Sequence, residues 1–185
     1  VTISRAKVSV DFPANFMLIA SMNPCPCGYY NHPEKECVCG PGIVQRYLNK
    51  VSGPLLDRID LHVEVTPVKF DEMTSTRKTE SSKEIRERVI KGREKQKERF
   101  KGNPEVFCNA MMPSHLTKQI CQINEAGKML LKTAMERLGL SARAYDRILK
   151  VARTIADISG SEEIKVEHLA EAIQYRSLDR EGWAG

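Results

Sequence analysis

The chain contains 185 residues, of which 41% are hydrophobic and 29% are charged. This is enough for one ordinary domain or two small ones, and it is not typical of a disordered chain. The chain has no uncharged stretch of the roughly 18 to 20 apolar residues that a membrane span needs, and no basic N-terminal region followed by an apolar core, so we expect a cytoplasmic protein. A net charge of +5 fits contact with phosphate groups but does not by itself indicate a nucleic-acid-binding protein.

In residues 1–65 the pattern of apolar residues is typical of β-strands. Residues 1–10 contain two short apolar segments on either side of a polar centre, which predicts a β-hairpin. The apolar run Phe16–Ala20 and the alternating segment Leu61–Val65 predict two further strands of a sheet. Between them, Ile43–Val51 has a helical pattern. A polar stretch rich in threonine and serine follows at residues 67–82 and predicts a hinge.

The second part of the chain has helical periodicity. Ser82–Lys101 is mostly charged with few apolar positions, so much of this predicted helix should face solvent. The next two helices are predicted over Lys128–Leu138 and Ser141–Ser159, because each carries one apolar stripe and is followed by a glycine. A last helix is predicted from Val166 to about Tyr175. Helices of this number with short connections predict a small bundle.

Four sequence blocks resemble a known family. They read NFMLIASMNPCPCG at residues 15–28, SGPLLDRIDL at 52–61, LSARAYDRIL at 140–149 and VARTIAD at 151–157. Together they resemble the ComM/YifB family of magnesium-chelatase-like AAA+ ATPases. The chain contains no Gly-x-x-x-x-Gly-Lys-Ser/Thr phosphate-binding loop and begins at a valine, so we expect it to be the C-terminal part of a larger ATPase.

The resemblance implies an α/β partial AAA+ core followed by an all-α helical lid. Residues 1–70 would form the core part, residues 71–82 the linker and residues 83–185 the lid. The resemblance also implies that the full protein forms a ring, expected to be a hexamer of identical subunits, that hydrolyses ATP with Mg²⁺. The fragment alone should not hydrolyse ATP, because the residues that hold the phosphates are missing.

The resemblance assigns roles to two residues of the core part. Asn23 corresponds to the polar residue at a strand tip that contacts the attacking water or the γ-phosphate, and Arg58 resembles the arginine finger that reaches the ATP of a neighbouring subunit. A planar guanidinium suits a transferring phosphoryl group better than an amine does. The alternatives are that Asn23 begins an ordinary Asn-Pro turn and that Arg58 makes a surface ion pair with Asp57 or Asp60.

In the predicted lid, Arg143 is the candidate for the arginine that senses the γ-phosphate. Arg143, Arg147 and Lys150 are spaced by four and three residues and therefore form a basic stripe on one helix. Arg147 would bind the nucleotide if Arg143 points elsewhere. The alternative is that this stripe is a solvated helix face.

Two Cys-x-Cys pairs with nine residues between them predict a candidate metal site. Its four ligands would be Cys25, Cys27, Cys37 and Cys39, and His32 in the same loop is an alternative ligand. Zinc, reduced thiols and oxidised cysteines are all compatible with the spacing, although disulfides are uncommon in the cytoplasm. Cys108 and Cys121 are expected to be ordinary lid residues.

The N-terminal hairpin is the candidate DNA contact. Its centre, Ser4-Arg5-Ala6-Lys7, resembles the pre-sensor hairpin of related hexameric helicases, which implies that Arg5 and Lys7 contact the phosphates of DNA. Solvent-facing hairpins also carry such residues without any ligand. Residues 83–101 contain nine Lys/Arg against four Glu and form either a second basic surface or a solvated helix.

The sequence thus favours part of a ring-forming ATPase that couples ATP hydrolysis to DNA translocation or branch migration. One alternative is the motor subunit of a magnesium chelatase. The other is a non-enzymatic zinc-binding or nucleic-acid-binding module.

Overall fold

The computed structural model describes residues 1–6, 8–14, 16–68, 74 and 79–176. Lys7 and most of the expected linker lie outside these residues. No helix in the described ranges is long and apolar enough to cross a membrane. The elements, in chain order, are β1 (Thr2–Arg5), β2 (Val8–Asp11), α1 (Ile43–Leu48), α2 (Gly53–Leu56), α3 (Ser82–Arg99), a 3-10 turn (Asn109–Met111), α4 (Ser114–Ile120), α5 (Glu125–Leu138), α6 (Ala142–Ser159) and α7 (Val166–Gln174).

The predicted N-terminal hairpin is confirmed. β1 and β2 pair antiparallel, with Thr2 opposite Asp11 and Arg5 opposite Val8. Ala6, in the turn, has a φ of 42°, in the left-handed region that a tight reversal between twisted strands requires. The Thr2 hydroxyl donates to the Asp11 carboxylate at 2.5 Å. All described residues of the hairpin are exposed, so it projects into solvent.

The two further predicted strands do not form. Phe16–Ala20 and Leu61–Val65 lie outside any strand, and β1 and β2 form the one sheet found among the described residues. Phe16 is 74% exposed and Ile19 is 82% exposed, although both side chains are apolar. The physical reason is that a strand exists only through hydrogen bonds to a neighbouring strand, and the described residues supply none. Among the described residues, the expected α/β core part thus contains one hairpin, two short helices and segments without regular secondary structure.

The predicted helical part is confirmed, and α6 is its centre. Ser141 caps α6 by accepting a hydrogen bond from the Ala144 amide, and Gly160 ends it with a φ of 83°, which glycine adopts without a Cβ clash. The apolar stripe of α6 packs against α3, α4 and α7. Burial of these side chains, each contributing roughly 1.5–3 kcal/mol, stabilises the bundle. The fully or almost fully buried core side chains include Met112, Leu131, Ile148, Leu149 and Leu169.

The other long helices lie where they were predicted, with boundaries that differ by at most three residues. α3 begins with a capping box formed by Ser81 and Glu84, and its first ten residues are exposed, as expected from its charge. α5 begins at Glu125, three residues earlier than predicted, because Asn124 caps it through the Gly127 amide. Gly139 ends α5 in the left-handed conformation. The short helices α2 and α4 were not predicted, because four and seven residues are too few for a periodic pattern.

A buried polar cluster joins α3 to α6. Asp157 has a fully buried side chain that accepts two hydrogen bonds from Arg99, at 2.6 and 2.5 Å, and one from Arg153 at 3.1 Å. The side-chain amide of Asn109 (Nδ2) donates to the same carboxylate at 2.8 Å. Burial raises the pKa of Asp157, but the hydrogen bonds and charges of these partners outweigh it, and the pKa is lowered. Asp157 is therefore an ionised residue at the centre of the helical part of the chain, the predicted lid.

Candidate nucleotide-sensing site and cysteine cluster

Arg58 lies at the C-terminal end of α2. Pro54 lies in the first turn of this helix, where its missing N–H costs little. The Arg58 amide donates to the carbonyl of Leu55 at 2.9 Å, and its guanidinium donates to the carbonyl of Pro54 at 2.6 Å. A cation at this position is favoured by the partial negative charge of the helix end. The Arg58 side chain is exposed and accessible to a ligand.

The carboxylates on either side of Arg58 face other arginines. Asp57 lies 3.8 Å from the guanidinium of Arg176, and Asp60 accepts a hydrogen bond from Arg147 of α6. Within the described ranges, Arg58 makes no ion pair. The alternative interpretation of Arg58, as half of a surface ion pair with Asp57 or Asp60, therefore does not describe this structure.

The segment that contains Arg58 is docked on the lid. Arg176, which is 1% exposed, donates to the carbonyl of Ile59, and the amide of His62 donates to the carbonyl of Tyr175 at 2.8 Å. His62 is itself buried. Arg176 was not among the predicted site residues, because nothing in the sequence next to it marks a contact with residues more than 100 positions away.

Asn23 is exposed and directly precedes Pro24. It follows a segment without regular secondary structure, where a strand was predicted. The structure shows no hydrogen bond or ion pair that joins Asn23, Arg58 and Arg143 to one another within the described ranges. Their roles around a nucleotide stay predictions.

The predicted basic stripe on α6 divides into three different environments. Arg143 is in the first turn of α6 and is exposed. Arg147 is bound to Asp60, and Lys150 donates to the carbonyl of Ala110 at 3.2 Å. Among the three, Arg143 is the one without a protein partner in the described part of the chain. Arg147 thus contacts Asp60, close to Arg58 in the chain.

The four cysteines of the predicted metal site are adjacent. All four sulfur atoms lie within 4.8 Å of one another, and the Sγ–Sγ distances are 3.3 Å for Cys25 and Cys27, 3.7 Å for Cys25 and Cys37, and 3.5 Å for Cys27 and Cys37. Four sulfurs placed tetrahedrally at about 2.3 Å from a zinc ion would lie about 3.8 Å apart. None of the four cysteines forms a disulfide. The donor set, its number and its spacing therefore fit zinc.

Backbone amides of the loop stabilise thiolates in this cluster. The Tyr30 amide donates to the sulfur of Cys25 at 3.3 Å. A hydrogen bond from the Tyr29 backbone, together with contacts to the other three sulfurs, lowers the pKa of Cys27 to about 6. The backbone of Cys39 lowers the pKa of Cys37, but burial and the neighbouring sulfurs outweigh it and raise this pKa to about 12. Four thiols crowded together cannot all ionise unless a cation joins them.

His32 is not part of the sulfur cluster. Its Nδ1 accepts hydrogen bonds from the amides of Glu34 and Lys35 at 3.0 and 3.1 Å, which fixes a turn inside the loop. The Nδ1 atom of His32 is therefore occupied by these hydrogen bonds and does not serve as the alternative metal ligand. Cys121 lies in the hydrophobic core of the lid, where burial raises its pKa to about 11, as expected for an unreactive thiol.

The candidate DNA-contacting surface is described only in part. Arg5 ends β1 and is exposed next to the turn, whereas Lys7 lies outside the described residues. In α3, Arg88 is paired with Glu80 at 2.5 Å. The basic side chains of its first ten residues are exposed, which leaves both interpretations of this surface open.

Comparison with known proteins identified two family models that match successive parts of the chain. The model described as magnesium chelatase, subunit ChlI, matches residues 1–73. The model described as magnesium chelatase, subunit ChlI C-terminal, matches residues 79–176.

Individual relatives give the same result. The chain is 43% identical over 181 residues to the competence protein ComM of Haemophilus influenzae, and 41% identical over 179 residues to the uncharacterized protein YifB of Escherichia coli. It is 35% identical over 177 residues to an uncharacterized protein of Mycobacterium bovis. These alignments cover 97, 96 and 95% of the chain but 34% of each relative. The chain thus spans about a third of the length of the curated relatives that it matches.

Proposed function

The chain belongs to the magnesium chelatase ChlI family, in the group of ComM and YifB, and we propose that it is the arginine-finger and lid part of a larger ring-forming ATPase that moves along DNA. The observation that carries this proposal is the environment of Arg58. Its side chain is exposed, while Asp60 accepts a hydrogen bond from Arg147 and Asp57 lies 3.8 Å from the guanidinium of Arg176. An arginine that has no carboxylate partner among the described residues is suited to bind a phosphate group from outside the chain.

Each candidate residue has a distinct part in the proposed reaction. Bound ATP and Mg²⁺ would supply the phosphoryl group and neutralise much of its charge. Arg58 stabilises negative charge that develops on the γ-phosphate of a neighbouring subunit, which requires a ring of identical subunits. Asn23 orients the attacking water. Arg143, exposed at the start of α6, binds the nucleotide from the lid.

The link to DNA is supported by two observations. The relative from Haemophilus influenzae is named a competence protein, and the hairpin of this chain projects an exposed Arg5 at its tip. A cationic hairpin binds the phosphate backbone without reading the sequence, and its affinity should therefore fall steeply with salt. Lys7 would add a second cation.

We further propose that the cysteine cluster binds one structural zinc ion. Cys25, Cys27, Cys37 and Cys39 would be the ligands, and zinc would supply the cross-link that holds this loop in one conformation. Because Asn23 lies two residues before Cys25, the same cross-link would fix the backbone that presents the Asn23 side chain.

DNA-stimulated ATP hydrolysis by the full-length protein tests the proposal. Arg58→Ala is expected to lower kcat by about a thousandfold or more, with and without DNA. Arg5→Ala should reduce the stimulation by DNA and leave the basal rate unchanged if the hairpin acts only on DNA. Arg46→Ala, which removes another exposed arginine from α1, is the matched control and should behave as the wild type.

Other outcomes would point elsewhere. An ATPase that ignores DNA would support a chelatase motor, as the names of the family models suggest. Full activity of Arg58→Ala would refute the arginine-finger role. Mixed rings provide a second check: Arg58→Ala subunits should lower the activity of wild-type neighbours, because a finger acts on the ATP of another subunit.

A further inference from the structure

Two arginines of the predicted lid lie against the carboxylates that flank Arg58, and we propose that Arg147 and Arg176 are positioning residues that keep Arg58 available for phosphate. Arg147 binds Asp60, and Arg176 lies against Asp57 and the carbonyl of Ile59. This inference rests on the proposed role of Arg58 as an arginine finger. It assigns Arg147 to the finger segment instead of to the nucleotide.

Carboxylates near Arg58 compete with a nucleotide phosphate for its guanidinium. Both kinds of anion can accept two parallel hydrogen bonds from a guanidinium. An unpaired Asp57 or Asp60 beside Arg58 would therefore compete with ATP for it. In the structure Asp60 accepts a hydrogen bond from Arg147, and Asp57 lies 3.8 Å from the buried guanidinium of Arg176. Among the described residues, the guanidinium of Arg58 donates to the carbonyl of Pro54.

The two lid arginines differ in how they can be tested. Arg176 is 1% exposed, so its removal would leave buried groups unpaired and could unfold the lid. Arg147 is 28% exposed at the side chain and Asp60 is 51% exposed, so this contact is a surface pair whose loss the fold should tolerate. Arg147 is therefore the position to change.

The same contacts connect the lid to the finger. Arg147 belongs to α6, and Arg176 follows the end of α7, so α6 and the end of α7 both contact the segment at residues 57–62. A shift of the lid away from this segment would release Asp57 and Asp60 beside Arg58. The arrangement thus makes the availability of Arg58 depend on lid position.

The test is a pair of variants of the full-length ATPase. Arg147→Ala leaves Asp60 unpaired next to Arg58, and kcat is expected to fall about two- to fivefold, the competition expected of one exposed ion pair, with KM for ATP unchanged. Arg147→Ala combined with Asp60→Asn removes the competing carboxylate and should restore kcat to within about twofold of the wild type. Lys132→Ala, which removes an exposed cation from α5, is the matched control and should retain full activity.

The outcomes separate this inference from other roles of Arg147. Wild-type kcat in Arg147→Ala refutes it. A fall in kcat that Asp60→Asn does not rescue also refutes it, because a residue that merely stabilises the lid or contacts ATP is not replaced by neutralising Asp60. An increase in the KM for ATP of Arg147→Ala would indicate that Arg147 contacts the nucleotide, which also refutes the inference. If the wild-type protein shows no ATPase activity or Arg58→Ala is fully active, the proposed function fails and this inference fails with it.

Discussion

Replacement of Asp157 by asparagine should destabilise the lid strongly at neutral pH. The Asp157 side chain is fully buried, and its carboxylate accepts hydrogen bonds from Arg99, Arg153 and Asn109. Asparagine has nearly the same shape but no charge, and it leaves two arginines facing an amide. Arg153 is 3% exposed, so its buried positive charge would lose the carboxylate that neutralises it.

The magnitude follows from the burial of these charges. Removing one partner of a buried ion pair costs about 3–5 kcal/mol. The Arg99 side chain is 20% exposed and can regain some hydration, so we expect the lower end, about 3 kcal/mol. For a unit of this size, this lowers Tm by roughly 12 °C or more.

The effect should depend on pH in a defined direction. The folded-state pKa of Asp157 is lowered, so the ionised carboxylate contributes stability above its unfolded pKa of about 3.9. This contribution is lost as the pH falls through the lower folded pKa. The difference in stability between wild type and Asp157→Asn should therefore be constant near pH 7 and narrow below about pH 4.

The measurement is urea unfolding of the 185-residue chain followed by circular dichroism at several pH values. Asp146→Asn is the matched control: Asp146 is on the same helix and accepts a hydrogen bond from the Ser114 hydroxyl at 2.6 Å, but this contact is exposed, and its loss should cost less than about 1 kcal/mol. Equal stability of Asp157→Asn and wild type at pH 7 would contradict the reasoning.

Three further predictions concern other parts of the chain. Purified protein should contain one zinc ion per chain by elemental analysis, Cys25→Ser should lose it and Cys108→Ser should keep it; a metal-free wild-type protein would contradict the zinc site. Gly127→Ala should destabilise the lid by about 1–2 kcal/mol despite the better helix propensity of alanine, because a Cβ would lie 2.8 Å from the Cδ1 atom of the buried Leu169; thermal unfolding checks this, and an unchanged Tm would refute it. Arg5→Ala should weaken DNA binding and make the slope of log K against log salt less negative by about 0.7–0.9; an unchanged slope, measured by titration at several salt concentrations, would place the contact elsewhere.

Much of the lid was determined by local sequence. The boundaries of α6 follow from Ser141 as the N-cap and Gly160 as the end, because capping requires residue types that act within one helical turn. The spacing of the cysteines similarly predicted which sulfurs meet, since Cys25 and Cys37 lie on one short loop. Local rules apply wherever the partners of a residue are close to it in the chain.

Tertiary structure decided the features that need distant partners. Phe16–Ala20 has the composition of a buried strand, yet a strand is defined by hydrogen bonds to its neighbour, and the described residues provide none. The pairing of Arg147 with Asp60 joins residues 87 positions apart, and no periodic pattern specifies such a pair. The sequence by itself thus determined the helices of the lid and the grouping of the cysteines, whereas the packing of the lid against residues 57–62 decided which cations hold Asp57 and Asp60 and left Arg58 exposed.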